Sequence, residues 1–394
     1  MNENSGYKDL DDDIVELLQK FDNMVNSSNY SYVDYDDCIV ILDSYIYLGE
    51  INKAKIALDY FVSLHPGKKS LSEYFVKIAF MEGDYSKVSS LVDNPDAVSD
   101  PMLLAILAES LVCCNKLEKS KYAFELYLIK ETNYDDLLKA FFRIATVYNE
   151  YNAPSYAIYF LNIGKTFFPD DDELMFEFAE SYYLKGNLKK AKSYLEALLK
   201  KDENNYNALK LCINICFELQ LFDEAVVIAD RCMKINPFDT DVAVNKGRAL
   251  YNLSKVKESV SFLEEYNHRN PNIEVVQSDL AGFYVTIGKE RKALGMYQSL
   301  VEKHPQNMKY VSALGVLLFN FKEHKKAIPF LKKSFDDSPS GVVAMCLAIS
   351  FYSEKDINNS YKYLKIAAGY DRRNISEFYS IFPSARHLFS NKKL

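Results

Sequence analysis

The chain has no tryptophan and only five histidines, and its seven cysteines include no CxxC pair. Each scarcity closes off a class of chemistry. His65 and His304 each precede a proline, His268 and His324 lie near expected turns, and His387 is in the tail, so no histidine is placed for catalysis. Walker loops, GxSxG, HExxH and dinucleotide fingerprints are all missing, which leaves no basis for an enzyme or a cofactor. No window approaches 18 consecutive apolar residues, so no helix is expected to span a membrane. The opening, Met1 to Tyr7, lacks the basic and apolar blocks of a Sec leader, and the expected location is the cytoplasm. Excess basic charge is lacking too. The net charge is −8, and residues 1–50 hold twelve acidic residues against Lys8 and Lys20. What remains is close to neutral, without the basic stripe that phosphate binding needs, so nucleic acid is not an expected partner.

What the chain does have is a grid. Pro237, Pro271, Pro305 and Pro339 fall on an even spacing that also reaches back to Pro169, and a fixed period of this size marks one small unit stacked many times. Within Asp172 to Asn205, Met175, Phe178, Ala179 and Tyr182 form the stripe of one amphipathic helix. Gly186 and Asn187 break it, and Leu188, Ala191, Tyr194, Leu195 and Leu198 form a second. Small residues recur where two helices would approach: Ala145, Ala179, Gly247, Ala281 and Gly315 in the first helix, Ala157, Ala191, Ala225, Ala293 and Ala327 in the second. Large ones surround them, such as Tyr148, Tyr182, Tyr284, Leu161, Leu195 and Leu331. With 48% apolar residues, including 30 Tyr and 25 Phe, the chain can bury a large core.

This pattern resembles the tetratricopeptide repeat family: Phe141, Ile144, Ala145, Tyr148, Ala157, Leu161 and Pro169 fit one copy, and Leu42, Tyr45, Gly49, Ala54, Leu58, Phe61 and Pro66 fit another. The resemblance implies an all-α fold, a right-handed superhelical solenoid with a partner-binding groove, and no particular reaction. We place a disordered start and an N-terminal capping helix in 1–34. Ten repeats follow, 35–68, 69–100, 101–137, 138–171, 172–205, 206–239, 240–273, 274–307, 308–340 and 341–373, and a capping helix with a tail occupies 374–394. The second copy is the weakest, its second helix running from Val88 to Val92, and about three extra residues near Thr132 to Asp136 shift the phase before the fourth. The chain counts as one domain. Its acidic opening and Leu-rich repeats are similar to tetratricopeptide proteins of Bacteroidota-type bacteria.

Cys212, Cys216 and Cys232 have metal-ligand side chains, but they occupy positions that other copies fill with Phe178, Tyr182 and Leu198. We read them as small buried hydrophobes and expect no metal, since three thiols would still lack a fourth zinc ligand.

The family resemblance implies that the first helix of each repeat lines the concave surface. The candidate peptide-binding groove is then Phe142, Phe176, Glu180, Tyr183, Lys210, Asn214, Phe217, Asn245, Arg248 and Tyr251. Aromatic side chains at the twelfth position, Phe80, Tyr183, Phe217, Tyr251, Phe319 and Tyr352, form a stripe with polar groups between, a lining suited to a peptide segment. Family members that grip the C-terminal carboxylate of chaperones do so with a five-residue clamp. Lys210, Asn214 and Asn245 match its first three positions, while Val275 and Asp279 stand where two cations belong. The expected function is a non-enzymatic protein-interaction scaffold. A peptide-responsive regulator, or a chaperone-tail binder with a degenerate clamp, is the alternative. The partner's identity and the oligomeric state stay open.

Overall fold

The computed structural model describes residues 10–91 and 94–389; the start up to residue 9, Val92, Asp93 and the final residues 390–394 lie outside it. Among the described residues there are 23 α-helices, one short 3-10 turn and no strand. Where the sequence expects one domain, the fold divides into two compact units between Lys201 and Asp202. The first unit holds α1 (Asp12–Asn26) and the pairs α2 (Tyr35–Tyr47) with α3 (Ile51–Leu64), α4 (Lys69–Met81) with α5 (Tyr85–Leu91), α6 (Pro101–Cys113) with α7 (Leu117–Lys130), α8 (Tyr134–Glu150) with α9 (Pro154–Phe167), and α10 (Asp172–Leu184) with α11 (Leu188–Lys201). The second holds α12 (Tyr206–Glu218) with α13 (Phe222–Ile235), α14 (Thr240–Asn252) with α15 (Val256–Arg269), α16 (Glu274–Thr286) with α17 (Glu290–Lys303), α18 (Met308–Asn320) with α19 (His324–Asp337), α20 (Gly341–Ser353) with α21 (Ile357–Tyr370), and then α22 (Arg373–Ile381) and α23 (Ala385–Phe389). Within each unit, a pair packs on the next through adjacent helices and through consecutive first helices, the arrangement of an α-solenoid.

The turn inside each pair has one design. A residue with positive φ sits two places after the first helix: Gly49, Gly83, Asn115, Asn152, Gly186, Gln220, Ser254, Gly288, Lys322 and Lys355. The amide that follows reaches back to the fifth residue before it, as in Glu50 to Tyr45 at 2.8 Å, Leu221 to Cys216 at 2.8 Å and Asp356 to Phe351 at 2.8 Å. This closure satisfies carbonyls that the helix end leaves open, and it reverses the chain in three residues. Second helices stop differently. His65, Phe168, Asn236, Asn270, His304 and Ser338 all precede prolines and all leave the helical region, with φ between −122° and −138°. Several first helices are opened by a side-chain cap, with Asp171 accepting from the Leu174 amide, Asn205 from that of Ala208 and Asp239 from that of Val242, while α4 and α16 have none.

Small residues set the distance between paired helices. Ala191, Ala225, Ala293 and Ala327 are at most 1% exposed, and Gly247 faces the side chain of Leu263. The extra residues near 132–136 do not form a loop. They lengthen α8 at its start, so that it begins at Tyr134 with Asn133 as its cap. Neighbouring pairs are also tied by long side chains reaching back to the preceding connection: Lys201 to the Asp170 carbonyl, Arg231 to that of Glu203, and Tyr370 to that of Pro339. α1 covers the first pair with Leu18, Phe21 and Met24. At the other end Phe378, Ala385 and Phe389 close the last pair, with Pro383 separating α22 from α23.

Candidate functional site

The ten candidate residues fall in both units. On the first, Phe142 is a half-buried ring packed against the core beneath α8, and Phe176, Glu180 and Tyr183 are half-buried along α10. Burial pushes the Glu180 carboxyl up. Glu177, one turn away and absent from the sequence-based set, is affected more: burial, then the neighbouring Glu180 and Glu173, push it up to about 7. Its Oε2 is buried without a hydrogen-bond partner. The α10 face therefore carries three carboxylates, two of them poorly solvated.

On the second unit, Lys210, Asn214, Asn245 and Arg248 meet around one pocket of about 290 Å³ between α12, α14 and α16. Its floor is apolar, made by Ile213, Val242, Val244 and Val275. Its cations are already engaged. Lys210 Nζ lies 2.9 Å from Asp239 Oδ2 and 3.7 Å from Asp241 Oδ2. The hydrogen bond to Asp239 raises the Lys210 ammonium above its ordinary value. Burial alone would push the Asp239 carboxyl up, but hydrogen bonds from Tyr206, Lys210 and the Val242 amide outweigh it and hold the group below the usual carboxylate range. Arg248 grips Asp279 with two donors, Nε at 2.6 Å and Nη2 at 3.3 Å. Asp279, which occupies a clamp position where a cation belongs, thus neutralises a groove cation. By contrast the side-chain amides of Asn214, exposed, and Asn245, half-buried, make no hydrogen bond among the described residues.

The aromatic stripe has a second use. Phe217 meets Phe222 edge-on at 5.5 Å, Phe80 meets Tyr85 at 5.8 Å and Phe319 meets His324 at 5.6 Å, each across the turn inside its own pair. Tyr251 stacks on Phe283 of the following pair at 4.4 Å. These rings are half-buried clasps. The sequence-based set also omitted a charge pair on the equivalent face of the first unit, Glu109 with Arg143, where Glu109 is 7% exposed. Its register is that of Arg248 with Asp279, with the signs reversed. Register arithmetic on the repeat would have found it, because the ninth residue of one first helix faces the sixth of the next.

Cys212, Cys216 and Cys232 are all buried in helix packing, and Cys232 is pushed up to about 11, chiefly by burial. No described helix is long and apolar enough to cross a membrane.

Comparison with known proteins places the repeat. The family model described as tetratricopeptide repeat matches residues 173–205. No curated protein sequence matches the chain. Similar solved structures include a tetratricopeptide repeat protein from Parabacteroides merdae, 13% identical over 59% of this chain and 93% of its own, with a TM-score of 0.46. They also include pilF of Pseudomonas aeruginosa, 14% identical over 53% of this chain and 96% of its own, TM-score 0.45. A third is MamA of Desulfovibrio magneticus, 14% identical over 43% of this chain and 97% of its own, TM-score 0.40. With one copy matched directly, and the same turn, stop and small-residue contacts recurring in the helix pairs around it, the chain is a protein of tetratricopeptide-type repeats.

Proposed function

We propose that the protein is a non-enzymatic scaffold of ten repeats between helical caps, acting in the cytoplasm, and that it holds an extended segment of a partner protein in the pocket of its second unit. One observation carries this reading: the free side-chain amides of Asn214 and Asn245 stand over an apolar floor. An amide both donates and accepts, so it can pair with a peptide bond of any sequence, while the floor takes up a side chain. Phe217 and Tyr251 lie further along α12 and α14, and Phe142, Phe176, Glu180 and Tyr183 form a further patch on the first unit. The burial of five thiols in the packing supports a reducing compartment.

The test uses immobilised full-length chain and a random peptide library, acetylated and amidated at its ends. Wild type should retain a subset of peptides. Changing Asn214 and Asn245 to Ala should reduce retention about tenfold, the worth of two hydrogen bonds. Lys234→Ala with Lys257→Ala, on exposed second-helix positions, should leave it unchanged. A wild-type chain that retains nothing ends the reading.

A further inference from the structure

We propose that the second-unit pocket selects internal peptide segments that carry a lysine or arginine side chain, and turns away free C-terminal carboxylates. The inference rests on the scaffold reading and names the chemistry of its partner. Count the charges around the pocket by what each already touches. Arg248 is neutralised by Asp279 through two parallel hydrogen bonds, and Asp279 is only 11% exposed. Lys210 is neutralised by Asp239, which is 12% exposed and also accepts from the Tyr206 hydroxyl. One carboxylate is left over. Asp241 lines the pocket with its side chain 82% exposed, held only by the longer approach of a lysine already committed elsewhere.

An incoming carboxylate would have to compete with Asp279 for Arg248, or with Asp239 for Lys210. Either exchange strands a carboxylate that is only about a tenth exposed without its cation, which costs stability. It would also meet Asp241 as a like charge at the rim. An incoming ammonium or guanidinium breaks nothing. It pairs with Asp241 in the open, its methylene stem lies along Val242, Val244 and Val275, and Asn214 and Asn245 take the main chain on either side. A capped or internal segment with one basic residue satisfies every group that the pocket leaves unsatisfied.

The experiment uses full-length chain and a degenerate peptide library in two forms, amidated and free-acid, with retained peptides read by mass spectrometry. Wild type should enrich Lys or Arg at one position about fivefold over neutral residues, the worth of one exposed ion pair, and should favour the amidated form. Asp241→Asn should erase the basic preference. Because Asp241 is exposed, loss of fold cannot account for that result. Asp279→Asn, which frees Arg248, should raise retention of free-acid peptides at least about fivefold. Retention that depends on Asn214 and Asn245 but shows no basic preference overturns this inference and leaves the scaffold standing. So does a preference that survives Asp241→Asn, or an Asp279→Asn variant that remains folded by circular dichroism and gains nothing for free acids. If wild type retains no peptide of either form, both readings fall.

Discussion

Gly247 and Leu263 pack so closely that a β-carbon on the glycine would stand 2.7 Å from Leu263 Cδ1, 2.8 Å from Cγ and 2.9 Å from Cδ2. Leu263 is fully buried and has nowhere to retreat. The absent side chain thus fixes the approach of α14 to α15. Gly247→Ala should destabilise the second unit by about 1–3 kcal/mol, the usual cost of overpacking. Gly295 is the internal control. It lies mid-helix with nothing within 4 Å of its ideal β-carbon, so Gly295→Ala should stabilise by about 0.5–1 kcal/mol. Denaturant midpoints of the two variants should move in opposite directions.

The turns inside the pairs give a second prediction. All of them need a left-handed residue, yet Lys322 and Lys355 supply it at φ 61° and 66° with exposed side chains. An L-residue held there costs about 1–2 kcal/mol, and glycine would relieve that at an entropic cost of about 0.5–1 kcal/mol. Lys322→Gly and Lys355→Gly should each stabilise by roughly 0.5 kcal/mol. The reverse change, Gly186→Ala at φ 77°, should destabilise by a similar amount or more. A lower thermal midpoint in both lysine variants would show that the side chains matter more than the backbone.

These turns also mark the limit of what the sequence shows. A glycine at the turn is readable, but Gln220, Lys322 and Lys355 adopt the same backbone because the helices on either side are held by packing. The small residues at the helix contacts were legible for the same reason: packing repeats, so its signature repeats. The charges do not repeat. Lys210 and Arg248 look like free groove cations until Asp239 and Asp279 are placed beside them, and Asp279 lies in the next pair. Nor does an aromatic at the twelfth position reveal that it clasps its own turn. Phe217 does so because Phe222 stands across from it, where the repeat before it has Leu188.

A third prediction concerns Glu109 and Arg143 on the first unit. Glu109 sits on α6, whose residues from Leu103 to Val112 are all buried, and Arg143 on α8 supplies its counter-charge. Breaking a buried pair from one side leaves the other charge uncompensated, whereas replacing both partners with apolar groups removes the problem. Arg143→Met alone should cost about 1–3 kcal/mol, because Glu109 is buried while Arg143 is about a third exposed. Adding Glu109→Leu should recover most of it. A double variant as unstable as the single one would mean that the pair is held for packing, not for charge.

The last prediction follows from Glu177, whose carboxyl is pushed up to about 7, first by burial and then by Glu180 and Glu173. One of its oxygens is buried and without a hydrogen-bond partner, so the folded state favours the protonated form. A carboxyl raised above its unfolded value, about 4.3, contributes stability that is fully present below that pH. The contribution fades as pH rises and is gone once the pH passes the folded value near 7. Glutamine has the shape of the protonated acid and cannot ionise. Glu177→Gln and wild type should therefore unfold at similar midpoints near pH about 4, and the variant should become the more stable one by pH about 8. Thermal melts across that range, followed by circular dichroism, measure the gap. A gap that stays constant with pH would mean that Glu177 is ionised in the fold, and that water or a cation reaches it.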